Sequence, residues 1–177
     1  MRQINKQQWL LEKYVSYFFI YAFIGWVFEV IVTLFQTMEL ENRGFLFLPI
    51  LPVYGFGALF ISLIFKNDDY QWFHVAIIGG LVATTLELVT SYFLEYSFGI
   101  SLWNYEDMKY NFEGRISLIT TLFFMIGSVL IIKVINPIVE RKLRRFKYNQ
   151  KLEIFLGILC LITFTDFIVS TILIFIK

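Results

Sequence analysis

The chain has 177 residues, 58% of them hydrophobic, with fifteen Lys and Arg against fourteen Asp and Glu for a net charge of +1. Soluble domains are about 45–50% apolar, so the composition excludes an ordinary soluble domain and points to a membrane protein. The near-neutral charge argues against a nucleic-acid binder, and a single cysteine, Cys160, excludes an intrachain disulfide.

Residues 1–13 are polar and basic and read as a short interfacial segment, with Trp9, Leu10 and Leu11 at headgroup level. The first apolar run, 14–35, reaches the roughly 20 residues that a membrane-crossing helix needs. It is longer than a secretory signal's apolar core and no small-residue cleavage site follows it, so it is read as a retained span. Tyr21, Gly25, Glu29 and Thr33 recur every fourth residue on one helix face. That stripe puts Glu29 one turn from a small residue, and small residues let helices approach closely.

A polar loop carrying Glu39, Glu41, Asn42, Arg43 and Gly44 leads into a second run, 45–65. Its entrance holds Pro49, Pro52, Tyr54, Gly55 and Gly57. Proline removes an amide donor and clashes with the preceding turn. Irregular backbone at membrane depth is tolerated only where protein or a wet cavity covers it. Two readings stand: an entrance that lines a cavity, or a helix started by proline just below the interface.

The third run, 73–96, opens on the lone histidine, His74, read as an interfacial residue and not a ligand. Further along, Thr84, Glu87, Ser91 and Glu95 step by three, four and four, which makes one continuous polar face. A charge inside a membrane segment is expensive and marks a functional site or a buried polar lock. The loop that follows is rich in aromatic and amide side chains, among them Trp103, Asn104, Tyr105, Tyr110, Asn111 and Phe112, and ends at Arg115. A fourth run, 116–135, places Ser117, Thr121 and Ser128 on one face. A basic stretch with six Lys and Arg between Arg141 and Lys151 precedes the fifth run, 154–176, where Thr163, Asp166 and Ser170 share a face.

The fold class is therefore all-α: a polytopic membrane helix bundle of about five transmembrane helices, organised as a single membrane domain over 1–177. Lys and Arg favour the cytoplasmic side. With the N-terminus inside, Arg2, Lys6, Lys13, Lys66, Lys133 and the basic stretch lie inside, while only Arg43, Lys109, Arg115 and Lys177 lie outside. That orientation carries Glu29, Glu87, Glu95, Arg43 and Arg115 to the outer half of the membrane. They read either as one polar pocket for a solute, ion or lipid headgroup, or as interhelical ion pairs that fix helix register. The expected site comprises Glu29, Asn42, Arg43, Tyr54, Glu87, Glu95, Trp103, Asn104, Tyr105, Asn111 and Arg115. No metal and no cofactor is expected.

Several stretches together carry a resemblance: GWVFE (Gly25–Glu29), NRGFLFLPILPVYG (Asn42–Gly55), the Glu87-to-Glu95 face with Phe98 and Gly99, WNY (Trp103–Tyr105) and NFEGRI (Asn111–Ile116). As a set they resemble the small bacterial membrane family described as putative ABC-transporter type IV, or CmpB-like. In the family pattern an aspartate stands between the Trp and the Tyr; here it is Asn104, which removes an ionisable group. The resemblance implies a multi-pass protein of the bacterial cytoplasmic membrane that serves as a transporter component. The chain has no G-x-x-x-x-G-K-[ST] phosphate loop, so the resemblance requires a separate ATPase subunit. Five spans are few for a whole translocation path, which favours a homo-oligomer or a partner. The leading function is a permease-type component that binds a small solute or ion. The alternatives are a membrane-embedded enzyme acting on a lipid or headgroup, with a buried Glu as acid or base and Arg holding phosphate, or a structural partner subunit.

Overall fold

Long apolar runs set the architecture. In the computed structural model, which describes residues 6–40, 42, 44–66, 70–147 and 149–176, the helices are α1 (Lys6–Thr37), α2 (Pro52–Ile64), α3 (Trp72–Phe98), α4 (Leu118–Leu130), α5 (Asn136–Leu143) and α6 (Gln150–Ile176). Two short strands, β1 (Asn111–Phe112) and β2 (Ile116–Ser117), pair antiparallel in the α3–α4 connection. The class is all-α, as the sequence predicts. Among the described residues, four stretches are long and apolar enough to cross a membrane: Lys6–Phe35, Trp72–Phe98, Leu118–Phe146 and Gln150–Leu173. With the shorter α2 they account for the five expected runs. Large apolar side chains stand exposed along α4 and α6, among them Phe123, Ile126, Leu161 and Phe164. Apolar surface on that scale belongs against lipid, and the chain is a multi-pass membrane protein.

The element limits depart from the sequence reading in three places, each for a local reason. Residues 6–13 continue α1 without a break, since no proline or glycine interrupts them; residues 1–5 lie outside the described residues. The second run is helical only from Pro52. Proline favours the first helical position, where its missing N–H is not needed, and Pro49 disfavours a helical Leu48 before it. Residues 44–51 are therefore irregular, and the 13 residues of α2 reach only about 20 Å at 1.5 Å per residue. The basic stretch begins inside a helix. A π turn at Ile131–Ile135 joins α4 to α5, and a 3₁₀ turn at Arg144–Phe146 follows. Pro137 cannot donate to the carbonyl four residues back and would clash with it; the wider π turn, closed by the Asn136 N–H to the Ile131 carbonyl, accommodates that defect.

The chain divides into two compact units, Met1–Gly55 with Val139–Lys177, and Phe56–Ile138. In the first, α1, the irregular segment and α6 share a core of Phe19, Ala22, Leu46, Ile50 and Leu156. The irregular backbone is not left unsatisfied. The Leu51 N–H donates to the Ala22 carbonyl of α1 at 2.9 Å. The N–H groups of Phe47 and Leu48 donate to the Asp166 carboxylate of α6 at 3.2 and 2.8 Å. Gly25 lies against the Tyr54 ring, where any Cβ would collide.

In the second unit, Ile61, Phe65, Val75 and Ile132 form the core. α3 packs on α4 through small residues: Gly79 faces Ser128 and Gly80 faces Met125. One turn on, the Thr84 hydroxyl donates to Thr121 at 3.0 Å. Asn136 donates to the Ser62 hydroxyl at 2.9 Å. α3 stops at Gly99, whose φ of 66° sends its N–H back to the Glu95 carbonyl, a conformation that costs glycine little. α4 starts with a reciprocal cap, Ser117 accepting from the Thr120 N–H and the Thr120 hydroxyl accepting from the Ser117 N–H.

Candidate functional site

The polar face read in α3 is real, and the loop after it folds back onto that face. Glu87 sits in the apolar part of α3, about 16 Å along the helix from its C-terminal end, and is 7% exposed. The Tyr105 hydroxyl reaches in from the loop and donates to Glu87 Oε1 at 2.9 Å. One turn on, Ser91 is buried and accepts from the Arg115 guanidinium at 3.0 Å. One turn further, the exposed Glu95 carboxylate forms an ion pair with Arg115. Tyr105 and Arg115 thus close the face like two fingers, with about 12 Å between the levels of Glu87 and Glu95.

Arg115 is the most connected of these groups. Its Nε lies 3.5 Å from Glu113, and its guanidinium stacks 4.1 Å from the centroid of the Tyr92 ring. The Tyr92 hydroxyl in turn donates to Glu113 at 2.6 Å. The hydrogen bond to Glu95 raises Arg115 above its ordinary pKa, so it is a permanent cation. Two carboxylates, Glu95 and Glu113, thus flank the guanidinium, while Glu87 is met by Tyr105.

The loop is held rigid by its own amides and aromatics. The Trp103 indole donates to the Arg115 carbonyl at 2.9 Å. Asn104 accepts from the Glu106 N–H at 2.8 Å, which closes a local turn. Asn111 donates to the carbonyls of Glu106 and Met108 and accepts from the Gly114 N–H at 3.0 Å. The Tyr105 N–H donates to the Gly114 carbonyl at 2.7 Å. Gly114 itself has φ 66°, and a Cβ there would meet Asn104 and Glu106.

The expected site residues therefore fall into separate groups. Glu87, Glu95, Tyr105 and Arg115 meet on the α3 face of the second unit. Trp103, Asn104 and Asn111 bond the backbone or a near neighbour of the loop that presents them. Glu29, Asn42 and Tyr54 belong to the first unit: the Tyr54 hydroxyl donates to Glu29, and the Trp26 indole donates to Asn42 at 2.7 Å. Arg43 lies outside the described residues. The sequence reading missed two participants. Glu113 precedes Arg115 by two residues, and Tyr92 precedes Glu95 by three, spacings that could have flagged both. Asp166 was noted on a polar stripe of α6, but nothing in the sequence links it to backbone 118 or 119 positions away.

A family model described as Putative ABC-transporter type IV matches residues 16–171. That is most of the chain, and the chain belongs to this family. No curated protein and no solved structure matches it.

Proposed function

We propose that the chain, as a member of this family, is a permease-type subunit that binds a small solute at the α3 face of its second unit. The observation that carries the proposal is Glu87: a buried carboxylate within a membrane-length apolar helix, met by a side-chain hydroxyl from a built loop. A lock that only fixed helix register would need one ion pair. Here two carboxylates, Glu95 and Glu113, hold the guanidinium, and a third, Glu87, meets Tyr105 on the same helix face, with Tyr92 and Ser91 against Arg115. The surplus of carboxylates favours a cation or a solute rich in hydrogen-bond donors. Among the described residues, no three His, Cys, Asp or Glu groups are placed to hold a metal ion, so a polyatomic cation suits the cluster better than a bare metal. Arg115 is already engaged by Glu95, Glu113 and Tyr92, which weighs against it as a holder of lipid phosphate and so against the enzyme reading.

In this proposal the chain lies in the bacterial cytoplasmic membrane with its N-terminus inside and the α3 cluster toward the outside. ATP hydrolysis resides on a separate subunit, and copies of the chain associate to complete the path. Vesicles from cells with and without the chain, supplied with ATP and a total metabolite extract, test it by mass spectrometry of the vesicle contents. At least one cationic solute should accumulate or leave only when the chain is present, and Glu87→Gln should lower that flux by tenfold or more, roughly the 1.4 kcal/mol that a lost charged contact readily supplies. A flux indifferent to Glu87→Gln, or a lipid that changes mass in place of a solute that moves, would refute it.

A further inference from the structure

We propose that the basic end of the first unit is a binding site for the headgroups of anionic phospholipids. Three helix ends meet there: the start of α1, the end of α5 with its 3₁₀ turn, and the start of α6. Lys13 of α1 forms an ion pair with Glu140 of α5 at 2.8 Å. Lys147, just past the 3₁₀ turn, lies 5.7 Å from the centroid of the Trp9 ring on α1. The Asn149 N–H donates to the Phe146 carbonyl at 2.9 Å, which folds the chain into α6. Residues 6–13 and 139–153 bring eight Lys and Arg to this end against Glu12, Glu140 and Glu153.

Most of that charge is not consumed internally. Glu140 is shared by Lys13 and Arg144, and Glu12 is buried. Arg141, Lys142, Arg145 and Lys151 stand exposed outside the ion pairs of this end. The apolar stretches of α1 and α6 begin at this level and run away from it. When those helices lie in a bilayer, the cations fall at the headgroups, where lipid phosphates already stand. Leu11 at 65% and Phe146 at 50% exposure sit among them, and Trp9 is the residue type that anchors at this depth. Exposed cations interleaved with apolar side chains, at the ends of membrane-length helices, fit a phosphate with an acyl chain beneath it better than the acidic face of a soluble protein. A basic side chain near a negative membrane surface gains about fivefold in affinity. The proposal does not depend on which solute the protein moves.

Native mass spectrometry of the full chain, released from detergent holding equal phosphatidylglycerol and phosphatidylcholine, is the test. The wild type should retain phosphatidylglycerol over phosphatidylcholine by roughly tenfold. The triple variant R141Q/K142Q/R145Q should bring that ratio to within about twofold of unity. R141K/R145K, which keeps the charge, should hold the wild-type ratio, as should K109Q in the α3–α4 loop. Circular dichroism confirms that the variants fold. An unchanged ratio in the triple variant would overturn the proposal. So would a wild type without preference, which would leave an acidic protein surface as the partner of this end.

Discussion

Removing the Tyr105 hydroxyl tests the heart of the site with one oxygen. The hydroxyl lies 2.9 Å from a Glu87 carboxylate that is 7% exposed, so water replaces the lost bond poorly. Leaving a buried polar group without its hydrogen-bond partner costs about 1–3 kcal/mol, and Tyr105→Phe should destabilise the protein by that much. Glu87→Gln keeps an acceptor oxygen at the same place and should cost about 1 kcal/mol. The double variant should cost less than the sum of the two, with a coupling of about 1–2 kcal/mol. Unfolding by SDS in mixed micelles, followed by far-ultraviolet circular dichroism, measures all four corners of the cycle. Tyr110→Phe on the same loop is the control. Tyr110 is 81% exposed and should stay within about 0.5 kcal/mol of wild type. Additivity of Tyr105→Phe and Glu87→Gln to within about 0.3 kcal/mol would mean that the two side chains do not meet, and the loop would then not be a lid on α3.

Three further outcomes follow from named contacts. Gly79→Ala drives a Cβ into Ser128, whereas Gly127→Ala meets nothing within 4 Å; thermal unfolding should show a loss of about 1–3 kcal/mol for the first and a small gain for the second, since alanine favours a helix. Asp166→Leu removes the acceptor of the Phe47 and Leu48 amides, so hydrogen-exchange mass spectrometry should find the 45–49 peptide exchanging at least about tenfold faster while the α3 peptides keep their rate. Arg115 gains a raised pKa from Glu95; a cation raised above its unfolded value loses its contribution only as pH climbs through the folded value, so raising pH from neutral to mildly alkaline should leave its hold on the loop unchanged. Mutation must break it instead: Arg115→Ala should speed exchange across 99–117, and Arg115→Lys should restore it only in part, because lysine lacks the planar fork.

What the sequence made legible was periodicity. The Thr84, Glu87, Ser91 and Glu95 steps identified the polar face of α3 because helix geometry alone puts those residues together. The family resemblance, carried by motifs spread from Gly25 to Ile116, likewise needs no tertiary knowledge. The break in the second span was half legible: Pro49 and Pro52 announced irregular backbone, but its satisfaction by Asp166 depends on a contact across more than a hundred residues. The loop amides were harder still. Asn104 and Asn111 look like binding groups in a list of polar residues, yet their hydrogen bonds run to the backbone and to Glu106 nearby. Composition cannot distinguish an amide that binds a ligand from one that closes a turn.

That distinction also separates Asp166 from Glu87, both carried by apolar helices. Asp166 accepts from the backbone amides of Phe47 and Leu48 and from the Ser170 hydroxyl at 3.3 Å. Releasing it would strand two N–H groups in an apolar setting, at a cost of several kcal/mol. Its occupancy is therefore part of the fold. Glu87 accepts from a tyrosine side chain, which can rotate away at the cost of one hydrogen bond and offer its place to a donor on a solute. A bound solute needs a partner that can be exchanged, and the Tyr105 bond to Glu87 is one on which no backbone amide depends. The loop that carries Tyr105 is rigid within itself, through Trp103, Asn111 and Gly114, and is tied to α3 mainly by side chains: Tyr105, Arg115 and the Tyr92–Glu113 pair. It can lift as a unit without losing its internal hydrogen bonds. If the α3 face binds a solute as proposed, its entry should appear as faster hydrogen exchange across 99–117, with the 45–49 peptide unchanged.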